Sequence, residues 1–154
     1  CSAMPVSPAT MPEPKLENSD WMNDTTLPWP SVQVRNLDEI DAGLFDGWTY
    51  DEIRVRHPDE SAARAADKLR YRYPRGESYE DVISRLDPVI IELERQRDPV
   101  VVISHQAVIR CLYAYFVERP PQGVPNLDVP LHTVFMLIPK AYGAQEDRVL
   151  LEGP

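Results

Sequence analysis

Cysteine is almost absent from this chain, with two residues in 154, at positions 1 and 111. Two thiols so far apart, without metal-ligand spacing, speak against a disulfide framework and a zinc site, so reduced thiols and no metal are expected. Positive charge is also short: 16 Lys and Arg stand against 25 Asp and Glu, a formal net charge of −9. Sequence-independent nucleic-acid binding and a basic membrane footprint both need clustered positive charge, and neither is expected here. An anionic ligand must therefore find a local basic pocket. No apolar run approaches the roughly 18 residues that span a bilayer, and the N-terminus has neither a basic segment nor a signal-like apolar core. The expectation is a soluble, cytoplasmic protein, processed or lacking an upstream piece because it opens on Cys1 rather than Met. Histidine is limited to His57, His105 and His132.

What is abundant is proline, 16 residues, and apolar residues, 43% of the chain, enough for one domain with a real core. Prolines at 5, 8, 12, 14, 28 and 30 break any regular pattern in residues 1 to 31, which read as irregular. "SVQVRNL", 31 to 37, alternates as a short strand would, and Gly43 and Gly47 punctuate the loop that follows. "TYDEIRVRH" has the acidic first turn and basic last turn of a short helix, with Thr49 as N-cap and Pro58 ending it. A second helix is expected from about Glu60 to Arg70. In "ESYEDVISRLDPVIIELERQR", Val82, Ile83, Leu86, Val89, Ile90 and Leu93 fall on one helical face. Ser78 and Asp81 have capping-box spacing, and Pro88 predicts a kink or a lost backbone bond. "VVVI", 100 to 103, lacks polar alternation and reads as a central strand of a parallel sheet, covered on both faces. "QAVIRCLYAYFVE" continues as a buried helix, the proline-rich 119 to 131 as a loop, "TVFMLI" as a strand and "RVLL" as a weak last one. Alternating strands and helices make the fold class α/β.

His105 sits where the apolar strand meets the next helix. In open α/β sheets ligands bind beyond the carboxyl ends of strands, and helix starts offer unpaired N–H groups to anions. Gln106 and Arg110 concentrate polar groups at the same junction, which points to a site. "RHPDE", 56 to 60, sets a histidine beside an arginine but is a poor anion site: Pro58 removes a backbone donor and the segment follows a helix. His57 therefore reads as a surface residue at a helix end, and His132 as structural.

"LDEIDAG", "DKLRYRYPRGESYEDVISRLDPVIIELERQR", "VVVISHQAVIRCLYAYF" and "PLHTVFMLIPKAYG" together resemble the bisphosphatase domain of the bifunctional 6-phosphofructo-2-kinase/fructose-2,6-bisphosphatase family, from about Leu37 to Gly143. The resemblance implies a histidine-phosphatase (phosphoglycerate-mutase-like) three-layer sandwich with a mostly parallel sheet, here lacking its first strand. It divides the chain into an irregular remnant (1–31), a partial bisphosphatase domain (32–143) and a tail (144–154). The implied reaction removes the 2-phosphate of fructose 2,6-bisphosphate through a phosphohistidine, giving fructose 6-phosphate, without cofactor. The implied parent carries an ATP-binding kinase domain upstream, through which a homodimer would form.

By the same resemblance Glu39 is the proton donor that later activates water, and His105 is the second histidine, stabilising the phosphoryl group in transfer. Tyr50, Arg64, Lys68, Tyr79, Gln106 and Arg110 would grip the sugar and its 6-phosphate, with Arg72 an addition. Arg64 and Lys68, four apart, are expected on one helix face. Tyr71 and Tyr73 read as packing aromatics. The family's Arg-His-Gly stretch, source of the nucleophile, is not in this sequence. In "CSAMPVSPATM", Ser2 and Thr10 align with the family's Ser-x-x-x-Arg-x-x-x-Thr segment, and Val6 stands where a phosphate-binding arginine belongs. The 154 residues alone are thus expected to be inactive and poorly stable. Two alternatives remain: a non-catalytic relative that binds sugar phosphates, and a histidine phosphatase of other substrate choice.

Overall fold

A computed structural model describes residues 31 to 151; Ser2, Val6 and Thr10, with all but the last residue of the irregular stretch expected over 1 to 31, lie outside the described residues. Four helices and one hairpin follow in order: α1 (Tyr50–Arg56), α2 (Pro58–Ala66), α3 (Tyr79–Arg95), α4 (Gln106–Phe116), β1 (Thr133–Pro139) and β2 (Ala144–Leu150). Short 3-10 turns cover Arg35–Leu37, Gly43–Phe45 and Pro121–Asn126.

Both expected caps form. The Thr49 hydroxyl accepts from the Glu52 amide while the Glu52 carboxylate takes the Thr49 amide; Ser78 and Asp81 do the same at the start of α3. Helix α3 buries Val82, Leu86 and Ile90 against Ala107, Val108, Cys111 and Leu112 of α4, with Leu69 and Val124 completing this core. It runs unbroken past the exposed Pro88 to Arg95. A second cluster packs Phe45, Ile53 and Tyr73 beneath the entry to the site.

Helix α2 differs from expectation. It starts at Pro58, whose missing N–H costs nothing at the first helical position, and stops at Ala66, where Asp67 turns its carboxylate onto the Arg70 amide (3.1 Å). Lys68 therefore lies beyond the helix, not one turn along it from Arg64.

The strands differ more. Residues 31 to 37 form no strand: Leu37 and Asp38 donate back to Val34 and Arg35 (2.9 and 3.0 Å), closing a 3-10 turn. Residues 100 to 103 have no ladder partner among the described residues, and instead of lying covered on both faces they leave Val101 81% and Ile103 87% exposed. The "TVFMLI" strand is present as β1, and the weak last strand starts earlier than "RVLL", at Ala144. They pair antiparallel from Thr133 opposite Leu150 to Pro139 opposite Ala144, as a four-residue connection dictates, since a parallel pair needs a long crossover. The described residues thus make a helix-rich α/β structure with a small antiparallel sheet. No helix among them is long and apolar enough to cross a membrane.

Candidate active site

A cleft of ≈ 260 Å³ opens between the 39–50 segment, the end of α2 and the starts of α3 and α4. Tyr50, Tyr79 and Gln106, each the first residue of its helix, line it together with Glu39, Arg64 and Arg110. Six of the nine candidate residues are therefore brought to one place.

Each is held by its neighbours. Arg64, in the last turn of α2, donates from Nε to the Tyr73 hydroxyl at 2.8 Å and from Nη2 to the Tyr50 hydroxyl at 3.3 Å. Its guanidinium carbon lies 4.7 Å from the Tyr50 ring centroid, a cation–π contact. Arg110, one turn into α4, donates from Nε to the Leu127 carbonyl (2.8 Å) and from Nη1 to the Tyr79 hydroxyl (3.2 Å). Gln106 donates its amide to the Val129 carbonyl at 2.8 Å. The proline-rich 119–131 loop therefore seats two of the site's polar side chains. Burial raises the Tyr79 phenol above its ordinary value against the pull of Arg110, and burial likewise raises Tyr73 against Arg64. Both phenols stay protonated near neutral pH and can donate to an anion.

Glu39 is exposed at the cleft edge, and one carboxylate oxygen accepts the Ile40 amide at 2.9 Å. His105 is the exposed N-cap of α4, with its carbonyl accepting the Ile109 amide (2.9 Å); it adjoins Gln106 in sequence but does not line the cleft. Lys68 lines an adjoining cavity of ≈ 530 Å³ that shares Arg64, and its ammonium donates to the Pro125 carbonyl at 2.7 Å. Burial, then repulsion from Arg64 and Arg110, lowers the Lys68 pKa below the ordinary lysine value. A lysine disfavoured in its charged form by two cations is relieved by an anion. Arg72 faces elsewhere: it is exposed and pairs with Asp81.

The remaining histidines have other places. His57 joins α1 to α2 at the surface, its ring 5.0 Å from Phe45 and 5.5 Å from Trp48. His132 holds a left-handed backbone (φ 55°) and its carbonyl accepts the Leu151 amide at 2.6 Å, pinning the mouth of the hairpin. Cys111 is buried in the core, which pushes its thiol up to about 12.

Among the lining residues that the sequence did not point to are Asp46, Trp48 and Tyr73. Tyr73 is 8% exposed and does pack, but its hydroxyl also orients Arg64. "DGW" offered only a turn signal at Gly47, whose φ of 77° marks the bend that brings Asp46 and Trp48 to the cleft.

The histidine phosphatase superfamily (branch 1) model matches residues 24–150. The chain belongs to this superfamily. Among relatives of this histidine phosphatase chain, it is 55% identical over 136 residues to a 6-phosphofructo-2-kinase/fructose-2,6-bisphosphatase of Arabidopsis thaliana, covering 88% of this chain and 18% of that protein. It is 50% identical to a fructose-2,6-bisphosphatase of Saccharomyces cerevisiae (80% of this chain, 27% of the relative) and 53% identical to 6-phosphofructo-2-kinase/fructose-2,6-bisphosphatase 1 of Homo sapiens (79% and 26%). The chain thus spans about a quarter or less of these curated relatives. A solved structure, mycobacterial hydrolase 1, shares the fold at a TM-score of 0.54 and 21% identity, over 77% of this chain and 63% of that one.

Proposed function

We propose that this chain is part of a fructose-2,6-bisphosphatase that releases the 2-phosphate of fructose 2,6-bisphosphate through a phosphohistidine. The observation that carries the reading is the convergence of Arg64 and Arg110, each bonded to a tyrosine hydroxyl, with Lys68 adjoining: a basic pocket in a chain of net charge −9. Relatives at 50–55% identity carry this activity in their names.

In this scheme a histidine of an Arg-His-Gly stretch, not among these 154 residues, attacks phosphorus and the bond to the sugar O2 breaks. Glu39 gives its proton to the departing oxygen and then takes one from the water that cleaves the phosphohistidine. His105 stabilises the charge on the transferring phosphoryl group. Tyr50, Arg64, Lys68, Tyr79, Gln106 and Arg110 hold fructose 6-phosphate, and Arg72 joins them on exchanging Asp81 for the ligand. The finer architecture, a sandwich around a mostly parallel sheet with "VVVI" inside it, the kinase domain upstream, the homodimer and the cytoplasmic location belong to the same proposal.

The direct test titrates fructose 6-phosphate into Lys68→Ala by calorimetry. We expect affinity to fall about 10-fold, the size of a lost charge-assisted hydrogen bond. Unchanged affinity would discredit the pocket.

A further inference from the structure

Arg85 turns both terminal nitrogens of its guanidinium to the segment that carries Glu39. From the middle of α3, its Nη2 donates to the carbonyls of Asp38 (2.6 Å) and Glu39 (3.2 Å), and its Nη1 donates to that of Asn36. Asn36 replies with its side-chain amide on the Arg85 carbonyl at 2.6 Å. The same guanidinium is fixed from behind by Glu77, Nε to Oε1 at 2.8 Å and Nη2 to Oε2 at 3.2 Å. Glu77 then clasps the far end of the segment. Its Oε2 accepts the Asp41 amide (3.1 Å), and its own amide donates to the Asp41 carbonyl (2.8 Å). Both side chains are about four-fifths buried, with 21% and 24% exposure, so this is no screened surface pair. The Ser104 hydroxyl adds a bond to the Leu37 carbonyl at 2.6 Å, from the residue beside His105.

We infer that Arg85, held by Glu77, is a positioning residue that fixes the backbone of residues 36 to 41 and so sets the Glu39 carboxylate at the cleft. Arginine suits this task because its planar fork serves several acceptors at once, whereas a lysine ammonium on the same helix is a single point. The segment has no regular structure beyond its 3-10 turn, so its carbonyls have few other partners. A displacement of about 1 Å in an acid or base can cost about 100-fold in rate, which makes the clamp matter to catalysis. The inference rests on the reading of Glu39 as the proton donor.

The test uses the full-length polypeptide that carries these residues, with Arg85→Lys, Glu39→Gln and the double variant. Arg85→Lys keeps the charge opposite Glu77 and should keep the fold, checked by its melting temperature. We expect its kcat for fructose 2,6-bisphosphate to fall about 10-fold or more with KM within about twofold. Amide exchange at Ile40 and Asp41 should quicken while α4 amides stay as they were. In the Glu39→Gln background the same change should cost almost nothing further, because the group being positioned is gone. Parent-like kcat and exchange in Arg85→Lys would overturn the inference, as would an equal kcat loss with or without the Glu39 carboxylate. Faster exchange in Arg85→Lys with full activity in Glu39→Gln would support the clamp and overturn the acid assignment alone.

Discussion

Tyr73 shows how a single side chain serves packing and site together. Its ring is 8% exposed within the cluster of Phe45 and Ile53, and its oxygen accepts from Arg64 at 2.8 Å. Tyr73→Phe should keep the ring in place and cost about 1 kcal/mol or less in stability. Arg64 loses its anchor, and the affinity for fructose 6-phosphate should drop several-fold, about 1 kcal/mol by calorimetry; an unchanged affinity would mean that Tyr50 alone orients Arg64. Nothing in "RYRYP" separates Tyr73 from Tyr71, because the difference lies in which neighbour each hydroxyl meets: Tyr71 bonds Glu60 at 2.7 Å and Tyr73 bonds Arg64. Gly43 is a second residue that sets the site's shape. With φ at 56°, a Cβ there would stand 2.2 Å from the Pro74 carbonyl oxygen. Gly43→Ala should therefore destabilise by about 2 kcal/mol or more in denaturant titration, since both the conformation and the space forbid it.

At the scale of elements, the helices and the "TVFMLI" strand were legible, while the strands expected at 31 to 37 and 100 to 103 were not. Thr49 with Glu52 and Ser78 with Asp81 are local signals, and α1 and α3 begin where those residues fall. The apolar face of α3 was legible for the same reason, as its period of 3.6 needs no knowledge of the partner. Strand pairing is non-local. "VVVI" has the composition of a buried strand, yet its state is decided by what lies beside it, and so is that of 31 to 37. The end of α2 was missed because Asp67 competes for the backbone, an effect that residue spacing does not display.

The caps also predict a pH response. Burial works against the Asp81 carboxylate, but the Ser78 hydroxyl and amide, then Arg72, outweigh it and hold its pKa below the usual 3.8. Thr49, through backbone amide and hydroxyl, holds Glu52 below 4.5. The unfolded chain thus takes up protons before the folded one does. The stabilisation is complete above the unfolded values and is lost as pH falls below them toward the folded ones. Between about pH 5 and about pH 3 the parent should lose more melting temperature than Asp81→Asn does, because the variant carries no carboxylate to protonate. Equal losses would place the acid sensitivity elsewhere.

Across the whole molecule, the apolar surface is distributed unevenly. Val102 packs against the main core while its neighbours Val101 and Ile103 point away, more than four-fifths exposed. On the hairpin, Val134, Met136 and Ile138 repeat the pattern along one face of β1. Residues 100 to 103 have no ladder partner among the described residues, and an extended apolar segment without one is a template for pairing with another strand. Net charge of −9 opposes association at long range, but the Debye length is about 8 Å at 0.15 M salt, so that repulsion is weak where two such segments meet. The 154 residues, handled alone, should therefore self-associate at micromolar concentration and bind a hydrophobic dye, as followed by light scattering and fluorescence. Val101→Lys with Ile103→Lys should suppress both without reducing helical circular dichroism, since neither side chain supports the core. If the parent chain instead stays monomeric and leaves the dye unbound, residues 100 to 103 are covered in solution, and the pairing surface we assign to them does not exist.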